Sequence, residues 1–194
     1  MKLNIYTISH PITQLLSNNI QNTKQEDSIY NQSLNQIGLF LLYETIRDWI
    51  KIYKLTVKQI YTTKEFLIHD SKESYIVMTN ITINLEIIQK AKYILPNCNI
   101  SLINFKKCQN SVFTDLNFSY IPKQIHPLTK IIIISHFINA KHIIKLMDYL
   151  TKIKNIKIYQ VRLISIICES NKLITISKIY PKLNIYTTKI KNDP

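Results

Sequence analysis

The residues best suited to chemistry lie in one segment, which directly follows the apolar run at residues 131–134. This segment reads Ser135-His136-Phe137-Ile138-Asn139-Ala140-Lys141-His142 and contains two imidazoles, a primary amine and no carboxylate. Metal-binding histidines on a helix are usually three or four positions apart, whereas these are six apart. We therefore predict that His136 and His142 do not share a metal ion, and that both lie in a loop or in the first turn of a helix.

Glycine content limits how this segment could bind phosphate. Backbone amides enclose a phosphate most readily where glycine lets the chain approach the anion closely or adopt a positive φ. The chain has a single glycine, Gly38, which lies within a helical pattern near the amino terminus. No glycine is therefore available for a phosphate-binding turn after any of the strands.

Length and composition predict one globular domain over residues 1–194, of which 46% are apolar. The longest strongly apolar runs are far shorter than the roughly 18 residues of a membrane span, so no membrane insertion is expected. The amino terminus lacks the apolar run of a signal peptide. Cys98, Cys108 and Cys168 show no zinc-ligand spacing, and we expect free thiols in a reducing compartment.

The net charge of +13 comes from lysines that are spread along the chain in twos and threes. Nucleic-acid surfaces usually cluster Lys and Arg, so charge alone is a weak argument for a nucleic-acid partner. Ile, Lys, Asn and Tyr are abundant while Gly, Ala and Arg are scarce, a pattern typical of an AT-rich gene. We therefore expect a plastid (chloroplast) stroma protein, with the cytoplasm as the alternative.

The predicted elements are two helices, a hairpin, and then alternating strands and helices. Pro11 begins the first helix, a capping box of Thr23 and Glu26 begins the second, and apolar spacing carries the second to about Tyr53. The hairpin pairs residues 56–62 with 66–69. The later strands are predicted at residues 75–78, 100–105, 130–134, 156–164 and 184–187, and the later helices at residues 85–95, 138–151 and 171–180.

This order predicts a doubly wound parallel sheet flanked by helices, with a helical amino-terminal part over residues 1–54 and an α/β core over residues 55–194. Ligands of such sheets bind beyond the carboxyl ends of the strands. The loops after Met78, Phe105, Ile134 and Ile166 are therefore where any site is expected.

Short segments distributed over nearly the whole chain resemble the uracil phosphoribosyltransferase family, in the family's order and at compatible spacing. They are His10-Pro11, Leu41-Leu42-Tyr43-Glu44-Thr45, Tyr75-Ile76-Val77-Met78, residues 100–106, residues 131–134 with residues 145–150, and Tyr180-Pro181-Lys182-Leu183-Asn184-Ile185-Tyr186-Thr187. The resemblance implies a type I phosphoribosyltransferase-like fold of about five parallel strands, with a small β arm between Asn110 and Ile125. It also implies the conversion of uracil and phosphoribosyl pyrophosphate to uridine monophosphate with magnesium, in pyrimidine salvage.

The family's substrate-binding motifs are not preserved. Its acidic-Pro-Met-Leu-Ala-Thr-Gly-Gly-Ser loop aligns with residues 135–142, its pyrophosphate-facing arginine with Thr82 or a neighbour, and the end of its Tyr-Arg strand with Lys106. The sequence ends at Pro194, before the family's uracil-closing segment would begin, and we expect that segment to be missing. The remnant substrate-binding positions are Thr82, Lys106, Ser135, His136, Asn139, Ala140, Lys141 and His142.

Three functions remain open from the sequence. The first is a pseudoenzyme with a structural or interaction role, working as a homo-oligomer or with a protein partner and without catalytic residues, cofactor or metal. The second is a residual uracil phosphoribosyltransferase that uses magnesium and substitutes Lys106, Lys141 and His136 as anion contacts. The third is an RNA-binding regulator on the same fold.

Overall fold

A computed structural model describes residues 3–23, 27–79, 85–106, 115–117, 121–122 and 124–192. The strands in this part are β1 (Asn4–Thr7), β2 (Ile52–Lys58), β3 (Thr63–His69), β4 (Tyr75–Thr79), β5 (Cys98–Leu102), β6 (Asn104–Lys106), β7 (Asp115–Asn117), β8 (Lys130–Phe137), β9 (Val161–Glu169), β10 (Asn184–Thr187) and β11 (Lys189–Lys191). The α-helices are α1 (Pro11–Asn22), α2 (Ser28–Ile46), α3 (Leu85–Ile94), α4 (Ala140–Asp148) and α5 (Ser170–Ile179).

A parallel sheet of seven strands forms the centre of the fold. Its order is β1-β10-β9-β8-β4-β5, with β11 pairing to the carboxyl end of β9. β4, β8 and most of β9 are buried on both faces, which explains why their sequences are continuous apolar runs and not alternating ones. The prediction of a doubly wound parallel sheet flanked by helices is confirmed.

Helices cover both faces of this sheet. Alternate side chains of β8 separate onto the two faces, so that Ile131 and Ile133 pack with α4 and α5, while Ile132 and Ile134 pack with α1, α2 and α3. Two apolar clusters result, one on each side of the sheet.

Several predicted boundaries are wrong for tertiary reasons. β1 was not predicted, and it adds a parallel edge strand to β10 within the part predicted as helical. α2 ends at Ile46, and Tyr53 lies on β2. α2 is capped by the Asp27 side chain, whereas Thr23 is the carboxyl cap of α1, so the predicted capping box does not begin α2. Glu26 lies outside the described residues.

The strand after α4 was also predicted too early. β9 runs from Val161 to Glu169, whereas residues 156–164 were predicted, because Ile158–Gln160 form a 3₁₀ turn before the strand. The predicted β arm between Asn110 and Ile125 includes β7, which pairs antiparallel with β6. Most of the remaining arm residues lie outside the described ones.

A buried charged group anchors the amino ends of the strands to α2. Arg162 at the start of β9 is 5% exposed, and its guanidinium forms two bonds to the Asp48 carboxylate at 2.5 and 2.7 Å. It also donates to the carbonyl of Thr45 and stacks 3.9 Å from the centre of the Trp49 ring. These contacts fix the end of α2 against the sheet.

Among the described residues, none of the helices combines the length and apolar character needed to cross a bilayer.

Candidate functional site

The carboxyl ends of the central strands form the sheet edge where this fold would bind a ligand. Thr79 at the end of β4 pairs with Leu102 of β5 and with Ile134 of β8. β8 extends past this level to Phe137, beside β9, which extends to Glu169. Two strands therefore project further than their neighbours at the place where the sequence predicted a loop.

The connection between β8 and α4 consists of Ile138 and Asn139 alone. Ile138 is 2% exposed and belongs to the apolar core. Asn139 caps α4, its side-chain oxygen accepting a hydrogen bond from the backbone N–H of His142 at 3.4 Å. Both connecting residues therefore have structural contacts that account for their side chains.

The predicted position of His136 in a loop or helical turn is wrong, because His136 lies on β8. It is 6% exposed, and its Nε2 has no hydrogen-bond partner among the described residues. Burial lowers the pKa of His136 from 6.5 to about 4, because the charged imidazolium would lose its hydration. At neutral pH this side chain is uncharged and offers no positive charge to a phosphate.

The first turn of α4 contains Ala140, Lys141 and His142. His142 agrees with the prediction of a first-turn position, and its pKa is lowered by partial burial and then by the nearby charge of Lys145. Lys141 is exposed, whereas Ala140 is buried. Lys141 is thus the cation that this turn presents to solvent at neutral pH.

Hydroxyl groups near this edge donate to backbone carbonyls. Ser135 Oγ donates to the carbonyl of Phe137 at 2.7 Å. Ser165 donates to the carbonyl of His136 at 3.3 Å, and Thr188 donates to that of Ile166 at 2.7 Å. The hydroxyl donors of these residues are therefore used within the fold. No sequence pattern pointed to Ser165 or Thr188, since their roles depend on how β9 and β10 pair.

A cavity of about 340 Å³ lies between α1 and the junction of β10 with β11. Its lining is polar, with the side chains of Gln14, Ser17, Asn18, Thr188 and Lys189. Ser17 donates to the Thr188 hydroxyl at 3.1 Å, which ties α1 to the sheet. The lining offers amides, hydroxyls and one amine, and no carboxylate.

The other remnant positions are less informative. Thr82 lies outside the described residues. Lys106 is the last residue of β6. This strand pairs with β7 in a separate two-stranded sheet, in which Lys106 lies opposite Asp115. No cluster of three or more His, Cys, Asp or Glu able to hold a metal ion occurs in the described ranges. Cys98 and Cys168 are free thiols whose pKa values are raised by burial, and Cys108 lies outside the described part.

Taken together, residues 135–142 form the end of a buried strand, a two-residue connection and the start of a helix. They contribute one exposed cation and the amides of a helix amino terminus, which attract anions weakly. They contribute no carboxylate that could bind a ribose hydroxyl or a metal-bound water.

Sequence comparison relates the chain to one enzyme family. The family model described as uracil phosphoribosyltransferase matches residues 7–193. A uracil phosphoribosyltransferase homolog of Pyropia yezoensis is 25% identical over 100% of this chain and 91% of its own length. A homolog of the same description from Porphyra purpurea is 24% identical, and the uracil phosphoribosyltransferase of Synechococcus elongatus is 19% identical. These matches cover 99% and 97% of this chain, and 90% and 87% of the relatives.

Solved structures show the same fold. The AQ2163 protein from Aquifex aeolicus superposes with a TM-score of 0.72 at 18% identity, covering 97% of this chain and 88% of that one. The adenine phosphoribosyl transferase from Trypanosoma brucei superposes with a TM-score of 0.54 at 11% identity, covering 96% and 84%. The fold is therefore that of the type I phosphoribosyltransferases.

Proposed function

The chain belongs to the uracil phosphoribosyltransferase family, and on that premise we propose that it has kept the family fold without catalysis and acts as a structural or interaction protein. The observation that carries this proposal is the connection between β8 and α4. Where the family has a glycine-containing loop that begins with acidic residues, this chain continues a buried strand through His136 and Phe137.

The geometry of this connection is poorly suited to phosphoribosyl pyrophosphate. A phosphate-binding loop needs several backbone amides directed at one point, and a connection of Ile138 and Asn139 is too short to enclose an anion. Removing one preorganised transition-state contact typically costs roughly 3 kcal/mol, about a hundredfold in rate. Loss of the carboxylates and of the amide loop together would reduce turnover below a useful rate.

Residual activity through substitute cations receives less support. His136 is buried and uncharged at neutral pH, whereas Lys141 is exposed. A lysine can replace an arginine as a charge, but it cannot replace carboxylates that bind ribose hydroxyls.

The hairpin of β2 and β3 supports an interaction role. Every residue of both strands is exposed, although both strands are rich in apolar side chains. At the tip, Ile60 is 91% and Tyr61 95% exposed, and Leu67 on β3 is 75% exposed. A two-stranded hairpin is at best marginally stable when solvated on both faces, and apolar side chains at this density are typical of a covered surface.

We propose a second copy of this chain as the partner of the hairpin. The apolar side chains exposed on it amount to on the order of 1,000 Å², which is the area that one partner contributes to a stable interface. The apolar side chains of the hairpin are exposed in every copy of the chain, so the partner that buries them should be present wherever the chain is made. A homo-oligomer meets that condition.

We infer that the protein works in a plastid. The composition typical of an AT-rich gene supports this setting, and so do the red-algal relatives from Pyropia yezoensis and Porphyra purpurea. Immunolocalisation with the chain under its native promoter tests the location, and a cytoplasmic signal would contradict it.

The loss of catalysis is tested with the purified protein, uracil, phosphoribosyl pyrophosphate and magnesium. No uridine monophosphate should form, and calorimetric titration should show no micromolar binding of phosphoribosyl pyrophosphate. In a loop-replacement variant, Asp-Pro-Met-Leu-Ala-Thr-Gly-Gly-Ser takes the place of residues 135–142. This change should restore the binding of phosphoribosyl pyrophosphate through backbone amides, though not turnover. Product from the unmodified chain that disappears in Lys141→Ala would show that catalysis persists.

The oligomeric state is tested by sedimentation with paired variants. Tyr61→Ser combined with Leu67→Glu should shift the protein to monomer, because both side chains would lie within the contact. Tyr93→Ser is the control, since Tyr93 is 92% exposed on α3, away from the hairpin. A monomeric wild-type chain at micromolar concentration would refute the self-association.

A further inference from the structure

A second cavity lies at the opposite end of the molecule from residues 135–142. It is open to solvent, has a volume of about 580 Å³, and is bordered by the segments that precede β9 and β10 and by the carboxyl ends of α4 and α5. Volumes of roughly 300 to 1,000 Å³ are typical of sites for small molecules. The phosphoribosyltransferase site of this fold is at the carboxyl edge of the sheet, so this cavity is separate from it.

The walls of this cavity are mainly apolar. Ile156 and Tyr180 are buried and form part of the core, and Ile179 is 52% exposed. Tyr159 is 67% exposed beside them, and the Lys157 Nζ lies 5.8 Å from the centre of its ring, so a large part of the ring remains accessible to a flat partner. An apolar wall with an accessible aromatic ring is suited to a planar ring system.

The polar groups of the cavity are predominantly cationic. Lys152, Lys157 and Lys182 contribute three positive charges against the one carboxylate of Asp148. Asp148 is already engaged, because Lys152 contacts it at 2.5 Å and the Tyr180 hydroxyl donates to it at 2.9 Å. Neither Lys157 nor Lys182 forms an ion pair within the described part of the chain. Lys157 contacts the Tyr159 ring without a carboxylate partner, so both ammonium groups are available to an anion.

The backbone around the cavity departs from regular structure. α4 continues into a π-helical turn over Tyr149–Ile153. This conformation is rare in proteins overall, and where it occurs it is often at a functional site. Asn155 follows with a φ of 55°, which side-chain-bearing residues seldom adopt. A 3₁₀ turn over Ile158–Gln160 then places Lys157 and Tyr159 at the rim.

We propose that this cavity binds a mononucleotide-sized ligand, an aromatic ring system that carries a phosphate. The ring system packs on Tyr159 and Ile179, and the phosphate contacts Lys157 and Lys182. The walls offer few hydrogen-bonding groups to the ring system, so the site selects for an aromatic phosphate and discriminates little between bases. This assignment is independent of whether the carboxyl edge of the sheet is catalytic.

Calorimetric titration of the full chain with adenosine 5′-monophosphate, adenosine and inorganic phosphate tests the site. The monophosphate should bind at least roughly tenfold more tightly than either fragment, because only it engages the ring and the lysines together. The affinity for uridine 5′-monophosphate should be within about threefold of that for adenosine 5′-monophosphate, because the walls offer few hydrogen-bonding groups to either base.

Variants distinguish this cavity from other basic surfaces. Lys182→Ala, Lys157→Ala and Tyr159→Ala should each weaken binding roughly tenfold. Lys178→Ala is the matched control, an exposed lysine in the last turn of α5 that does not line the cavity, and it should leave binding unchanged. Circular dichroism establishes that each variant is folded.

Three results would overturn the assignment. In the first, none of the nucleotides binds at millimolar concentration. In the second, binding is lost in Lys141→Ala and retained in Lys182→Ala. This result would place the phosphate at the start of α4, at the position of the family's substrate site. Equal weakening by Lys178→Ala and Lys182→Ala would show nonspecific charge attraction and would also refute it.

Discussion

At the scale of single residues, the imidazole of His136 shows how burial changes the chemistry of a side chain. Sequence alone presents this histidine as a possible anion contact. In the fold it is 6% exposed, and its pKa is lowered from 6.5 to about 4 by desolvation. The unfolded chain therefore binds a proton at a higher pH than the folded one does, and this difference makes stability depend on pH.

We expect His136 to destabilise the protein as the pH falls. The folded state holds the histidine neutral, so its full stability is present above pH 6.5 and is lost progressively as the pH falls from 6.5 toward 4. Between pH 7 and pH 5 the contribution is about 2 kcal/mol. Urea unfolding at both pH values measures it. In His136→Leu the difference between the two pH values should shrink by that amount.

The Arg162–Asp48 pair makes a second prediction at this scale. Arg162 is 6% exposed at its side chain and Asp48 is 68% exposed, so removal of the carboxylate leaves a buried charge without its partner. Asp48→Asn should lower the free energy of unfolding by about 2 kcal/mol, below the range for a fully buried pair. Glu44→Gln breaks the exposed pair with Arg47 and should cost less than about 0.5 kcal/mol. Equal losses would show that the Arg162 contacts are not specific.

At the scale of elements, the only glycine of the chain belongs to helix packing. Gly38 is buried in α2, and a Cβ at this position would overlap Cδ1 of Ile87 on α3 and lie 3.0 Å from its Cγ1. Glycine costs a helix about 1 kcal/mol relative to alanine. Close approach of α2 and α3 therefore explains a residue that helix propensity disfavours.

A double-mutant cycle tests this explanation. Gly38→Ala should destabilise the protein despite its better helix propensity, because Ile87 is 1% exposed and has little space to move into. Ile87→Val alone should cost about 1 kcal/mol. The double variant should be more stable than the sum of the two changes predicts, since valine lacks the overlapping methyl group. Simple additivity in thermal or urea unfolding would contradict the packing role.

At the scale of the whole molecule, the charge of +13 raises the question of nucleic-acid binding. Some lysines of the described part pair with carboxylates, such as Lys130 with Glu73, Lys54 with Glu65 and Lys172 with Glu169, and the others are dispersed along the chain. A field of dispersed lysines attracts RNA without reading its sequence.

We therefore expect only weak RNA binding that depends strongly on salt. Fluorescence anisotropy with single-stranded RNAs of different sequence should show similar affinities, which fall by roughly a hundredfold or more between 50 and 200 mM salt. A sequence preference that persists at physiological salt would instead favour the RNA-binding regulator. Self-association through the apolar hairpin should be insensitive to the same change in salt.

The sequence by itself determined the order of the central strands and of the helices that alternate with them, because runs such as residues 131–134 are apolar enough to be buried on both faces of a parallel sheet. It also determined that residues 135–142 contain neither glycine nor carboxylate, since chemical composition does not depend on folding. The first property predicted the doubly wound sheet, and the second, together with the resemblance to the family, led to the prediction of an altered phosphate loop.

Tertiary structure alone decided where the elements end and what the polar residues do. Ser135, His136 and Phe137 read as a loop, but β9 lies alongside, with Ser165 opposite Ser135 and Ile167 opposite Phe137, and its hydrogen bonds extend the strand. The cavity of about 580 Å³ likewise brings together residues that precede β9, such as Tyr159, and residues that follow α5, such as Lys182, which no local pattern relates. Strand pairing and burial depend on segments that are distant in the sequence, so local sequence patterns do not reveal them.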